Sequence, residues 1–168
     1  YKNATIPFIA IVAILVGCTI AGVYGMKQDS ADGRLLMWKV TGKAIAGQPL
    51  AGTGLGGFPA AYAEAQGGYF ATGNATDREK RVAGCPEYAF NEYLQIGLEQ
   101  GGGGLIVFVA WLGSMAYYGI RNRQQGAAGG VLALAVFAVS SYPLQLPSFW
   151  VALVFLGAIC VTEDGTRT

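Results

Sequence analysis

The chain has 168 residues and a formal net charge of +1; 53% of its residues are hydrophobic, 12% are charged and none is histidine. So apolar a composition points away from an ordinary soluble domain and towards a membrane protein. The missing histidine removes the commonest general acid–base residue and the commonest zinc ligand.

In chain order, the first element is Ile6 to Tyr24, uncharged over 19 residues, close to the ~20 needed to cross a hydrocarbon core of ~30 Å. It predicts a spanning helix over residues 1–24. Lys2 ahead of the apolar run gives it some likeness to a signal peptide, but its length favours a span, and the absence of a starting Met suggests a piece of a longer chain.

A segment of roughly 75 residues follows, residues 25–100, far more than a connection needs. It holds most of the charges with the two signs nearly balanced, so it offers no basic patch for nucleic acid. SADGRLLMWKVTGKAIAG reads as a helix capped by Asp32 and ended by Gly47 and Pro49. On it Arg34, Trp38, Thr41 and Ile45 share a face, beside Lys39 and Lys43. This is either a phosphate- and sugar-binding surface or an interfacial anchor.

Next, PLAGTGLGGF places Gly52, Gly54 and Gly57 in the G-x-G-x-x-G pattern of dinucleotide-binding turns. No apolar strand precedes it, because Gly47, Gln48 and Pro49 break the run, so nucleotide binding is rejected. What remains is a turn between two helices, with or without backbone amides that approach a polar ligand.

Phe58 to Gln66 is a short helix candidate, and GGYFATGNATDREKR reads as solvated loop, with Arg78, Lys80 and Arg81 interleaved with acids. In PEYAFNEYLQIGLEQGGGGL a helix aligns Glu92 with Glu99, with Tyr93 alongside. The two acids are either the solvated shoulder of a span or a base and a hydroxyl-positioning group at a cleft.

Residues 101–168 carry three more uncharged stretches: Gly101 to Ile120, Gly126 to Tyr142 and Leu144 to Val161. The fold class is therefore all-α, polytopic, with about four spans around a long helical loop. Arg121 and Arg123 mark the short link between the second and third spans as cytoplasmic, which places residues 25–100 outside. Cys18 and Cys160 fall within spans and Cys85 is alone in the loop, so no disulfide framework forms.

The order GRLLMWK, PLAGTGLGGF, then AFNEYLQIGLEQGG at the mouth of a span resembles the O-antigen ligase and polymerase family of bacterial membrane glycosyltransferases. The resemblance covers Ser30 to Leu105 and implies a GT-C-like C-terminal portion of a protein with more spans than these. It implies transfer of a glycan from an undecaprenyl-diphosphate carrier to an acceptor glycan or lipid, at the periplasmic side of the inner membrane, with no cofactor or metal. Arg34 matches the family's arginine ahead of a tryptophan and is the candidate contact for the diphosphate, through its planar fork of donors. Arg34, Glu92 and Glu99 are the candidate catalytic residues. Trp38, Lys39, Lys43, Arg78, Arg81, Asn91 and Tyr93, with the backbone at Gly52 and Gly54, are the candidate substrate-binding residues. Where many relatives carry a histidine before the asparagine, this chain has Phe90: either another group takes over, with Glu92 and Glu99 the nearest acids, or acceptor activation matters less than leaving-group stabilisation, or the chain is inactive. A transport or assembly subunit is the rival reading; it predicts charges inside the spans, and the four stretches carry none.

Overall fold

The computed structural model describes residues 28–162. The expected first span, Ile6 to Tyr24, and the end of the chain lie outside them. All regular structure among the described residues is helical.

Helix α1 covers residues 28–47. Leu36, Met37, Val40 and Thr41 are buried along one face, the i, i+4 spacing of an amphipathic helix. Asp32 does not cap it: the helix is already formed at residue 28, and Asp32 pairs from within it with Arg78.

Helix α2 (Phe58–Ala71) begins with Pro59 in its first turn and runs past Gly67 and Gly68, which the sequence assigns to a loop. The glycine pair stays helical because Tyr69, just beyond it, is anchored in the core. Phe58 and Tyr62 stack on each other at 5.6 Å and fill the same core with Leu36, Val40 and Leu98. Burying Phe58 completely contributes about 1.5–3 kcal/mol.

Helix α3 (Asp77–Val82) also replaces expected loop. Thr76 and Glu79 form a capping box: Thr76 Oγ1 accepts from the Glu79 amide at 3.2 Å, and Glu79 Oε2 accepts from the Thr76 amide at 2.8 Å. The T-x-x-E spacing was there to be read, beneath a charge run that suggested only solvation.

Helix α4 (Glu92–Glu99) starts at Asn91, whose Oδ1 accepts from the Leu94 amide at 3.0 Å. The chain breaks at Gly101, whose φ of +69° turns α4 into α5 (Gly101–Arg121). A side chain there would collide with Leu50 O, so only glycine fits this crossing.

Helices α5, α6 (Gln125–Phe137) and α7 (Pro147–Val161) pack together around Leu112, Val131, Leu153 and Cys160. Close approach depends on small residues, as between membrane helices: a Cβ on Gly119 would sit 2.7 Å from Cys160 Sγ and 2.9 Å from Ala128 Cβ. At the Arg121–Arg123 end, Asn122 Nδ2 donates to the last carbonyls of α7, Cys160 O at 3.1 Å and Val161 O at 3.2 Å.

Among the described residues α5 is the one helix long and apolar enough to cross a membrane. At 21 residues it is about 32 Å long. The expected third and fourth spans form shorter helices of 13 and 15 residues, about 20 and 22 Å. The link between α6 and α7, with a 3₁₀ turn at Pro143–Gln145, takes residues that the apolar pattern assigns to both. The end of α6 meets the loop: Glu92 N donates to Ala138 O at 2.9 Å, and Tyr93 Oη donates to Ala135 O at 2.9 Å.

Candidate active site

The glycine turn has a definite task. Thr53 N and Gly54 N donate to Leu98 O and Glu99 O, both at 2.9 Å, and Gly102 N donates to Pro49 O at 2.8 Å. The amides that a nucleotide-binding loop would aim at a diphosphate here bond the orphan carbonyls at the end of α4. Gly52 (φ +67°) and Gly54 (φ +90°) supply the backbone shape. Neither acts here through a side chain, and both fix the position of α4.

That position buries both acids. Glu92 is 1% and Glu99 8% exposed, so neither is a solvated shoulder. Glu92 Oε1 accepts from the Leu144 amide at 2.7 Å, and Oε2 accepts a long bond of 3.4 Å from Gln145 Nε2. Burial holds the Glu92 carboxyl above its ordinary value of 4.5, against the lowering effect of the Leu144 amide. Glu99 Oε1 accepts from Gln95 Nε2 at 2.8 Å and from Phe58 N, at the start of α2, at 3.3 Å. A carboxylate at a helix N-terminus also meets the positive end of the helix dipole. Gln95 is held in turn, its Oε1 accepting from Ala89 N at 2.8 Å.

Glu92, Gln95 and Glu99 form one wall of a cavity of about 650 Å³, together with Gln100 and Gln145. The rest of the lining is largely apolar: Val107, Phe108 and Trp111 from α5, Leu144 from the link and Trp150 from α7. A volume and a lining of this kind, apolar with a few convergent polar groups, suit a small organic ligand.

The other candidates lie elsewhere. Arg34 lines a neighbouring cavity of about 370 Å³ with Tyr62, Cys85 and Phe90. Its Nη1 donates to Ser140 O at 3.3 Å, and its guanidinium lies 5.2 Å from the Phe90 ring centre. Phe90 adopts φ +50° and packs edge-on against Tyr142 at 4.8 Å. Tyr88 stacks on the same Tyr142 at 5.2 Å. Phe90 and Glu92 are two residues apart, at most about 7 Å along the backbone. The arginine and the acid thus flank one short segment.

Trp38 Nε1 donates to Ala89 O at 3.1 Å, tying α1 to the entry of α4. Lys39 Nζ donates to Tyr69 Oη at 2.6 Å and to Glu79 Oε1 at 2.7 Å, and Lys43 Nζ lies 4.3 Å from the Tyr69 ring centre. The Lys39 ammonium pulls the Glu79 carboxyl down to about 2. Arg78 pairs with Asp32, and Arg81 is exposed. Asn91 caps α4 and Tyr93 bonds α6, so both hold the site from behind. Of the two sets of candidates, the structure gathers Glu92 and Glu99 in one cavity and Arg34 beside it, while Lys39, Lys43 and Arg78 bind their own neighbours.

Gln95 is three residues from Glu92 and four from Glu99, so its place on their face was legible in the spacing. Gln145, Trp111, Trp150 and Tyr142 carried no local signal; they arrive from residues far along the chain.

A family model described as O-antigen ligase matches residues 2–109, which include α1 to α4 and the glycine turn. No curated protein and no solved structure matches the chain.

Proposed function

Because the chain belongs to the O-antigen ligase family, whose role is membrane glycan transfer in polysaccharide assembly, we propose that it moves a glycan from an undecaprenyl-diphosphate carrier to an acceptor hydroxyl. The loop faces the periplasm in this reading, and α5 to α7 stand in the inner membrane. The carrying observation is the cavity at the loop end of α5 that two buried acids line together with tryptophan and phenylalanine.

Glu92 takes the acceptor proton through Oε2, the oxygen with only a long bond to Gln145. A carboxyl raised by burial is better matched to that task than an exposed one. The acceptor oxygen bonds to the anomeric carbon as the bond from that carbon to the diphosphate oxygen breaks, and the electron pair leaves with the diphosphate. Displacement needs the base and the stabilising cation on opposite faces of the reacting carbon. Arg34, against the Phe90 ring, and Glu92, two residues further on, line separate cavities, which supports a cation and a base at different points around the reacting carbon. Arg34 would have to release Ser140 O to offer its fork to phosphate oxygens.

The test is transfer by the whole protein in vesicles supplied with an undecaprenyl-diphosphate-linked repeat unit. Arg34→Ala should lower turnover about 10²- to 10³-fold, as removal of one charge-stabilising donor does. Arg34→Lys keeps charge but loses the fork, and should fall between Arg34→Ala and the parent. Glu92→Gln should cost about 10²- to 10⁴-fold, and Glu99→Gln less, because its Oε1 is already committed to Phe58 and Gln95. Turnover should rise with pH through the Glu92 pKa, above 4.5, and lose that rise in Glu92→Gln. Parent rates in all four variants would refute the assignment.

A further inference from the structure

We propose that the acid-lined cavity is a subsite for an uncharged, hydroxyl-rich sugar and rejects a sugar that carries a carboxylate or phosphate. Calling that sugar the acceptor rests on the transfer reading above; the selectivity itself follows from the charge of the two acids that line the cavity.

Two carboxylate oxygens there lack a close partner. Both bonds to Glu99 fall on Oε1, which leaves Oε2 of a side chain more than nine-tenths buried without any of them. Glu92 Oε2 has a single contact of 3.4 Å. The Gln95 amide is spent at both ends, its Nε2 on Glu99 and its Oε1 on Ala89. Among the described residues no lysine or arginine lines the cavity. A ligand must therefore bring hydrogen-bond donors, as sugar hydroxyls do. A carboxylate or phosphate would bring further acceptors and a like charge beside two acids.

The aromatic part of the lining favours the same ligand. Trp111 and Trp150 lie with ring centres 6.2 Å apart and planes tilted by 32°. Trp150 is fixed by donating its Nε1 to Leu144 O at 2.6 Å. Two held indoles give an apolar surface for the C–H face of a sugar ring while its hydroxyl rim reaches the acids. The volume of about 650 Å³ is in the range of small-ligand sites. The described cations that could receive an anion are placed outside: Arg34 opens on the neighbouring cavity, and Lys39 and Arg78 are paired with Glu79 and Asp32.

The experiment is saturation-transfer NMR on the purified whole protein in micelles, with cellobiose and cellobiouronic acid as probes. Cellobiose should bind, and the acid should bind at least about 10-fold more weakly, the size of one like-charge contact in a partly dry site. Glu99→Gln, which keeps the shape of the side chain, should narrow that gap; Trp150→Ala should weaken cellobiose. Equal binding of the two probes, binding of neither, or cellobiose binding indifferent to both variants would overturn the proposal. Transfer is measured separately. Transfer without discrimination between acceptors sinks the selectivity and leaves the transfer reading standing, whereas selective binding without transfer does the reverse.

Discussion

Gly52 and Gly54 both have positive φ, yet alanine should be far more damaging at the first than at the second. At either position an L side chain in the left-handed region costs about 1–2 kcal/mol. At Gly54 that is the whole effect, because nothing lies within 4 Å of the new Cβ. At Gly52 the Cβ would stand 2.5 Å from Glu99 O and 2.6 Å from Gly101 N, both backbone atoms that cannot swing aside. The turn must lift off the end of α4, and the bonds from Thr53 N to Leu98 O and Gly54 N to Glu99 O go with it. At about 1 kcal/mol each, their loss adds roughly 2 kcal/mol. Amide exchange at Thr53 and Gly54 should then be about 30-fold faster in Gly52→Ala than in Gly54→Ala, since 1.4 kcal/mol is a factor of ten. Hydrogen-exchange mass spectrometry on peptides spanning the turn reads this directly. Glycan transfer should fall in Gly52→Ala too, because Glu99 rides on the same carbonyl. Equal exchange in the two variants would show that the turn does not hold α4.

Two further predictions concern charge and topology. Glu79 is held near 2 in the folded loop against an ordinary 4.5, so it binds fewer protons folded than unfolded, and its support is complete above about 4.5 and is lost as pH falls towards 2. A thermal-unfolding series from pH 6 to 2.5 should show that loss, and Glu79→Gln should be less stable at pH 6 but flatter with pH. Cys85 is exposed and should react with a membrane-impermeant thiol reagent added from the periplasmic side, while a cysteine at Gln125 should not. Gln125 is the better reporter than Asn122, whose amide caps α7. Labelling of Gln125→Cys from that side would invert the topology.

What the sequence by itself determined was local. The all-helical class, the apolar helix of α5, the helices around Arg34, Phe58 and Glu92, and the rejection of nucleotide binding at Gly52–Gly57 all follow from periodicity, missing charge and the lack of a strand. The order of the motifs carried the family. Even the capping box at Thr76 and Glu79 was within reach of spacing alone. Tertiary structure decided the rest, because the deciding contacts join residues some tens of positions apart. A glutamate three residues into a motif looks solvated until Leu144 donates its amide across 52 positions and burial follows. Lys39 and Arg78 look free until Glu79 and Asp32 meet them. Trp111 and Trp150 are two apolar residues in two apolar helices until α5 packs against α7 and both line the cavity that Glu92 lines. Helix ends were likewise beyond an apolar run: Ser140 to Leu146 are uncharged enough to extend either helix. Their backbone instead bonds Arg34 and Glu92, so α6 and α7 end short and the wall of the cavity is made from what remains.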